Sequence, residues 1–116
     1  MLKKVVVLVK QEGLGQTAAS DRQFGIDMLD RFFHTLEGLP IKPQAICFYT
    51  EGVKAVCAGS TLVPGLQLLA GMGVRLVVCK SCLEYFGLIE QVAVGEVGGM
   101  NDIAKLLLEA DHVVTV

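Results

Sequence analysis

The sequence predicts an α/β domain with a mainly parallel sheet of about five strands and helices on both faces, a three-layer α/β/α architecture. Two observations carry this. Apolar runs rich in β-branched residues alternate along the chain with segments of helical periodicity. The first of these runs is continuous rather than alternating in polarity, the pattern of a strand buried on both faces. The balance agrees: 53% of the 116 residues are hydrophobic and 19% are charged, against about 45–50% and about 25% in an average chain. A chain of this length suffices for a single domain, taken as residues 1–116. It can bury roughly 65% of its unfolded surface, so it needs no staple to fold.

Lys4 to Val9 reads as the first strand. Gln11 to Gln16 is a loop. Ser20, with Gln23 three residues on, reads as a capping box that opens a helix. Phe24, Met28, Leu29, Phe32, Phe33 and Leu36 recur along it at helical spacing, and Gly38, Pro40 and Pro43 end it. Ala45 to Tyr49 is a second strand, followed by a loop and short turn from Thr50 to Gly59. Leu62, Leu66, Leu69 and Ala70 mark a second helix that closes at Gly71-Met72-Gly73. Val74 to Cys79 is a third strand. Ser81 is placed to cap a short helix ended by Gly87. Val92 to Val97 is either a short strand or an extended link. Asn101 is placed to cap the last helix, and His112 to Val116 is the final strand.

The formal net charge is −2, and no basic stripe runs along the sequence. Nucleic-acid binding therefore has no electrostatic footprint. Met1-Leu2-Lys3-Lys4 precedes an apolar run of only five residues before Lys10. A signal core needs about 7–15 and a membrane span about 20. A cytoplasmic location without membrane insertion is expected, with the four cysteines kept as thiols.

Ligands of open parallel sheets bind beyond the carboxyl ends of the strands. That rule directs attention to Gln11–Gln16, Thr50–Gly59 and Cys79–Ser81, which should share one edge. Cys79 ends a buried strand, and Cys82 sits in the first turn of the next helix. A helix start stabilises an anion by about 0.3–1 kcal/mol. An unshifted thiol is roughly 3% thiolate at neutral pH, and a downward shift of about one unit, with help from Lys80, raises that to roughly a quarter. Glu84 opposes the shift. Cys47, inside Ile46-Cys47-Phe48, and Cys57, in a turn, read as structural.

A C-x-x-C pair has three common uses. A thioredoxin-like pair opens a long helix and has a proline downstream. Here Gly87 cuts the helix short, and Pro40, Pro43 and Pro64 all come before the pair. A zinc site needs two more ligands at suitable spacing, but Cys47, Cys57, His34 and His112 stand apart. No metal is expected. Sulfur handling by one nucleophilic cysteine, with the second as helper, is left. Gly13-x-Gly15 lacks the third glycine of a dinucleotide turn, so no nucleotide cofactor is expected. Those glycines instead let the loop approach the thiols closely. Thr50, Glu51 and Gly52 should face the same edge. His34 reads as structural, and Tyr85, Phe86, Leu88 and Ile89 form the best candidate for an apolar patch used in self-association.

Gly73-Val74-Arg75-Leu76-Val77-Val78-Cys79, with Gly87 eight residues after the cysteine, resembles the cysteine loop of the DsrE/DsrF-like sulfur-relay proteins. Gly52-Val53-Lys54 with Gly59-Ser60, then Cys79 through Leu88, then Val94-Gly95-Glu96-Val97 and Met100-Asn101-Asp102-Ile103, resembles the C-terminal domain of the YedF-type proteins associated with selenium metabolism. The resemblance implies persulfide transfer at Cys79, a helper role for Cys82, and homo-oligomers. YedF-type proteins usually carry an N-terminal TusA-like domain, so the resemblance implies either a stand-alone form or an excised domain. If the chain stands alone, a separate small sulfur carrier of TusA-like type is an expected partner. Two other classes stay open from the residues alone: a non-catalytic binding or assembly module, and a dithiol redox protein using Cys79 and Cys82.

Overall fold

The computed structural model describes residues 3–116. Met1 and Leu2 of the opening segment lie outside the described residues. Five strands form one sheet: β1 (Val5–Val9), β2 (Ala45–Phe48), β3 (Arg75–Cys79), β4 (Glu96–Gly98) and β5 (His112–Thr115). Their order is β4-β3-β2-β1-β5 and every pair is parallel. The helices are α1 (Arg22–Gly38), α2 (Val63–Gly71), α3 (Lys80–Tyr85) and α4 (Met100–Glu109). The expected α/β class with a parallel five-stranded sheet is therefore present.

The order fixes where the helices go. From β1 to β4 the chain steps one strand at a time in one direction, and then it jumps back past β1 to β5. Right-handed crossovers place α1, α2 and α3 on one face and α4 on the other. The two faces bury different stripes. Ile26, Leu29 and Phe33 of α1 are buried, as are Leu66 and Leu69 of α2 and Ile103 and Leu106 of α4. β2 is buried along its whole length, which explains its unbroken apolar sequence.

Several local expectations are corrected. Ser20 does not cap α1: it sits in a single 3-10 turn, Ala19–Asp21, and the cap position falls on Asp21 without a side-chain bond. Phe24 is 64% exposed, because it stands five residues before Leu29 and off the buried stripe. Ala70 is also exposed. Thr50–Val56 is a 3-10 helix rather than a loop with a short turn. β4 spans Glu96–Gly98, while Val92 makes only one antiparallel bridge, to Cys57. The cap of α4 is Gly99, not Asn101: the Asp102 carboxylate accepts the Gly99 N–H at 3.0 Å. The cap position of α3 is Cys79, which puts Ser81 inside the first turn. Gly87 does end α3. It holds φ +69°, a conformation glycine adopts without strain, and the Leu88 N–H then reaches back to the Leu83 carbonyl at 2.8 Å.

Among the described residues no helix is long and apolar enough to cross a membrane. Apolar side chains do reach the surface, notably Tyr85 (84% exposed), Leu108 (87%) and both Val113 and Val114 of edge strand β5 (42% each).

Candidate functional site

The reversal of chain direction locates the site. The loop leaving β3 turns to the face of α1 and α2, and the loop leaving β4 turns to the face of α4. Cys79 pairs with Gly98 in the sheet, so the two loops diverge directly beyond Cys79. This is the topological switch point, where doubly wound sheets bind ligands.

Two of the three loops meet there. The 3-10 helix that follows β2 is pressed onto the end of β1: a Cβ on Gly52 would lie 2.1 Å from the Val9 carbonyl oxygen, so no other residue fits. Thr50 begins that helix in a left-handed conformation, φ +49°. This costs a β-branched residue of order 1–3 kcal/mol. The Thr50 hydroxyl donates to the carbonyl oxygens of Lys10 (2.6 Å) and Tyr49 (2.8 Å), and its N–H donates to Cys82 Sγ at 3.0 Å. The strained residue thus ties the end of β1 to the thiol helix. The third loop sits further out. Gly13 packs on the backbone of Gly25 in α1, with the Leu14 N–H donating to the Gly25 carbonyl at 2.9 Å. Gly13, Gly15 and Glu51 line a shallow groove of about 320 Å³ with Lys54 and Arg22.

The two cysteines differ. Cys79 is 1% exposed, whereas Cys82 is half-buried. The Cys82 thiol is pushed up, chiefly by burial. The Thr50 N–H works in the opposite direction, and the neighbouring Cys79 thiol pushes it up further. The downward shift expected from the helix start and Lys80 is therefore outweighed: burial costs the anion more than one backbone donor returns. Lys80 and Ser81 are both exposed on α3.

Sequence reasoning took what lies one turn beyond Cys82 only as part of an apolar patch for self-association. Phe86 follows it by four residues, its N–H bonded to the Cys82 carbonyl at 3.2 Å. The Lys54 ammonium stands 4.7 Å from the centre of the Phe86 ring. Together they wall a second cleft of about 610 Å³, which also takes in Cys57 and the Arg22–Glu12 ion pair. The i, i+4 spacing of Cys82 and Phe86 was the available signal. Lys54 comes from an element distant in sequence and gave none. His34 is held between Asp30 (3.4 Å) and Glu37 (2.9 Å) on the outer surface of α1, away from the thiols.

A parallel doubly wound sheet with a strand ending in a cysteine, a short helix, and a second thiol held by the neighbouring loop defines a thiol-bearing α/β domain. The chain belongs to the DsrE/DsrF-like family, whose model matches residues 3–116. Solved structures share the fold. The ychN protein from E. coli is 20% identical, with 99% of this chain and 100% of that one covered and a TM-score of 0.67. MTH1491 from Methanobacterium thermoautotrophicum, a protein of unknown function, is 17% identical, with coverage of 98% and 99% and a TM-score of 0.69. BT1422 from Bacteroides thetaiotaomicron, also of unknown function, is 17% identical, with coverage of 98% and 95% and a TM-score of 0.68. No curated protein matches the chain.

Proposed function

We propose that this chain carries sulfane sulfur on the Cys79–Cys82 pair, as a sulfur-relay protein. Membership of the DsrE/DsrF-like family, generally linked to sulfur relay, supports the class. The observation that carries the assignment to these residues is the thiol pair beyond the end of β3, with a backbone N–H aimed at the outer sulfur. Burial divides the labour. Cys82 is the sulfur a donor can reach, and Cys79, at the position the family resemblance gives to the carrier cysteine, is shielded from water.

Sulfur arrives on Cys82 as a persulfide. The Cys79 thiolate then attacks the outer sulfur. A Cys79 S–S bond forms, the bond to Cys82 breaks, and Cys82 leaves as a thiolate that takes up the proton Cys79 released. No oxidant is consumed. The Thr50 N–H stabilises negative charge on Cys82 in both its receiving and its leaving role. The resemblance to YedF-type proteins extends this reading to selenium metabolism, with a separate TusA-like carrier as the acceptor and self-association through the exposed apolar residues of α3 and β5.

Intact mass after anaerobic incubation with a sulfane-sulfur donor tests the proposal. Wild type should gain one sulfur atom. Cys82→Ser should load much more slowly, and Cys79→Ser should load at Cys82 and lose the sulfur readily to added thiol. No gain in wild type overturns the reading. The C-x-x-C spacing of the two free thiols keeps one alternative, a dithiol redox protein, which would instead show a loss of two hydrogens.

A further inference from the structure

We infer that the cleft one helical turn from Cys82 selects anionic small-molecule sulfur donors, with Lys54 as the residue that holds the donor's carboxylate or sulfonate. This inference rests on the sulfur-relay reading and names the donor side of the same site.

Three observations converge. First, the cleft is large enough for a small organic molecule, and much of its wall is apolar, with Phe86 and Leu88 on the side of α3. Second, its ionic groups are Lys54, Arg22 and Glu12. Arg22 is taken up by Glu12 in a two-pronged ion pair, which leaves one positive charge. Among the described residues no carboxylate stands within 4.0 Å of the Lys54 ammonium. It stands over the face of Phe86. A half-buried ammonium without a counter-ion is worth more to an incoming anion than an exposed one, because less water competes for it. Glu51 shares the neighbouring groove with Lys54 but does not line this cleft, and it makes no ion pair with the ammonium. Third, Phe86, one wall of the cleft, follows Cys82 by four residues, and side chains at that spacing on a helix stand about 5–6 Å apart between Cβ atoms, so the cleft lies one helical turn from the thiol, which does not itself line it. A donor whose anionic group sits on Lys54 therefore needs only a short chain to bring its sulfur to Cys82.

The reaction is a sulfur exchange with a persulfide R–S–SH, where R carries the anion. Cys82 gives its proton to solvent, and its thiolate attacks the terminal sulfur. The Cys82 S–S bond forms as the S–S bond of the donor breaks, and R–S⁻ departs with that electron pair and takes up a proton. The products are the Cys82 persulfide and the thiol R–SH, with no net oxidation. Lys54 binds the same anionic group before and after the exchange, so it acts on donor affinity and not on the chemical step.

The test is the initial rate of sulfur gain on the full chain, followed by intact mass against donor concentration. The probes are the persulfides of 3-mercaptopropionate and of 3-mercaptopropionamide, the same skeleton with and without the charge. The carboxylate donor should half-saturate at about tenfold lower concentration than the amide, at similar maximal rate. Lys54→Met should remove that preference while still loading from the amide, and Lys54→Arg should keep it. Equal half-saturation of wild type by the two donors, or a preference that survives Lys54→Met, overturns the inference and leaves sulfur relay intact. Loading by neither donor overturns the sulfur-relay reading, and this inference with it.

Discussion

The backbone N–H of Thr50 donates to Cys82 Sγ at 3.0 Å, from a residue whose φ is +49°. A non-glycine residue stays in that conformation only when its surroundings hold it there. The hold here is the Thr50 hydroxyl, bonded to the Lys10 carbonyl at the end of β1. Thr50→Ala removes the hold and keeps the strain. The N–H should then spend less time on the sulfur, and the thiol, already pushed up by burial, should rise further. The pH profile of Cys82 alkylation by iodoacetamide measures this. The midpoint of Thr50→Ala should lie above that of wild type, with a stability loss of about 1 kcal/mol for the lost hydrogen bond. A midpoint at or below wild type would show that this N–H does not act on the sulfur.

The thiols should react in the order of their burial. Cys82 is half-buried, whereas Cys79 is 1% exposed and Cys47 is fully buried. Brief labelling of the native protein followed by peptide mapping should find the label on Cys82, with Cys79 and Cys47 modified only after denaturant is added. Equal labelling of Cys79 and Cys82 would mean that the loop around them opens freely, and the division of labour between them would fail.

The caps of α4 give a third test, and they show where the sequence misleads. Asn101 and Asp102 stand side by side, and both are good capping residues. The helix starts two residues earlier than Asn101 would set, so the side chain that closes its end is Asp102, on the Gly99 N–H. Asp102→Ala should cost about 1 kcal/mol by urea unfolding and Asn101→Ala much less. The reverse ranking would restore the cap to Asn101.

The same contrast runs through the whole molecule. β1, β2, β3 and β5 were legible as apolar runs, and β2 and β3, flanked by neighbours on both sides, are buried almost throughout, whereas the edge strand β4, Glu96-Val97-Gly98, carries no such run and could equally be read as a link. The position of Cys79 at the end of β3 followed from that alone. Helix starts were not legible. Ser20, Ser81 and Asn101 all have the right chemistry, and the backbone put the cap one residue later in the first case and two residues earlier in the other two. The shape of the site was not legible either. Thr50 and Cys82 lie 32 residues apart, and a backbone N–H leaves no mark in a sequence. The unpaired charge of Lys54 likewise depends on which carboxylates fold close to it. The sequence also misjudged the sign at Cys82, since a helix start and a nearby lysine can be counted in advance but burial cannot.

Cys47 offers a prediction about stability rather than function. It lies in the middle of β2, fully buried, beside Leu8 and Val77 in the sheet. Burial pushes its thiol from 9.0 up to about 11, with the charge of Arg75 pulling slightly the other way. The native state therefore holds this proton when the unfolded chain has already released it. The resulting stability is fully present below about pH 9 and is lost as pH rises through about 11. At about 1.36 kcal/mol per pH unit the loss attributable to this one thiol is of order 3 kcal/mol. Cys47→Ala should start less stable, because a buried sulfur has been removed, and should then lose less stability across the same alkaline range. Urea midpoints measured for both proteins at intervals across that range give the two slopes. The remaining thiols, lysines and tyrosines titrate in both proteins, so they cancel in the difference. Parallel slopes would mean that the Cys47 thiol stays protonated in the unfolded chain to the same pH as in the sheet, or ionises in place without opening it.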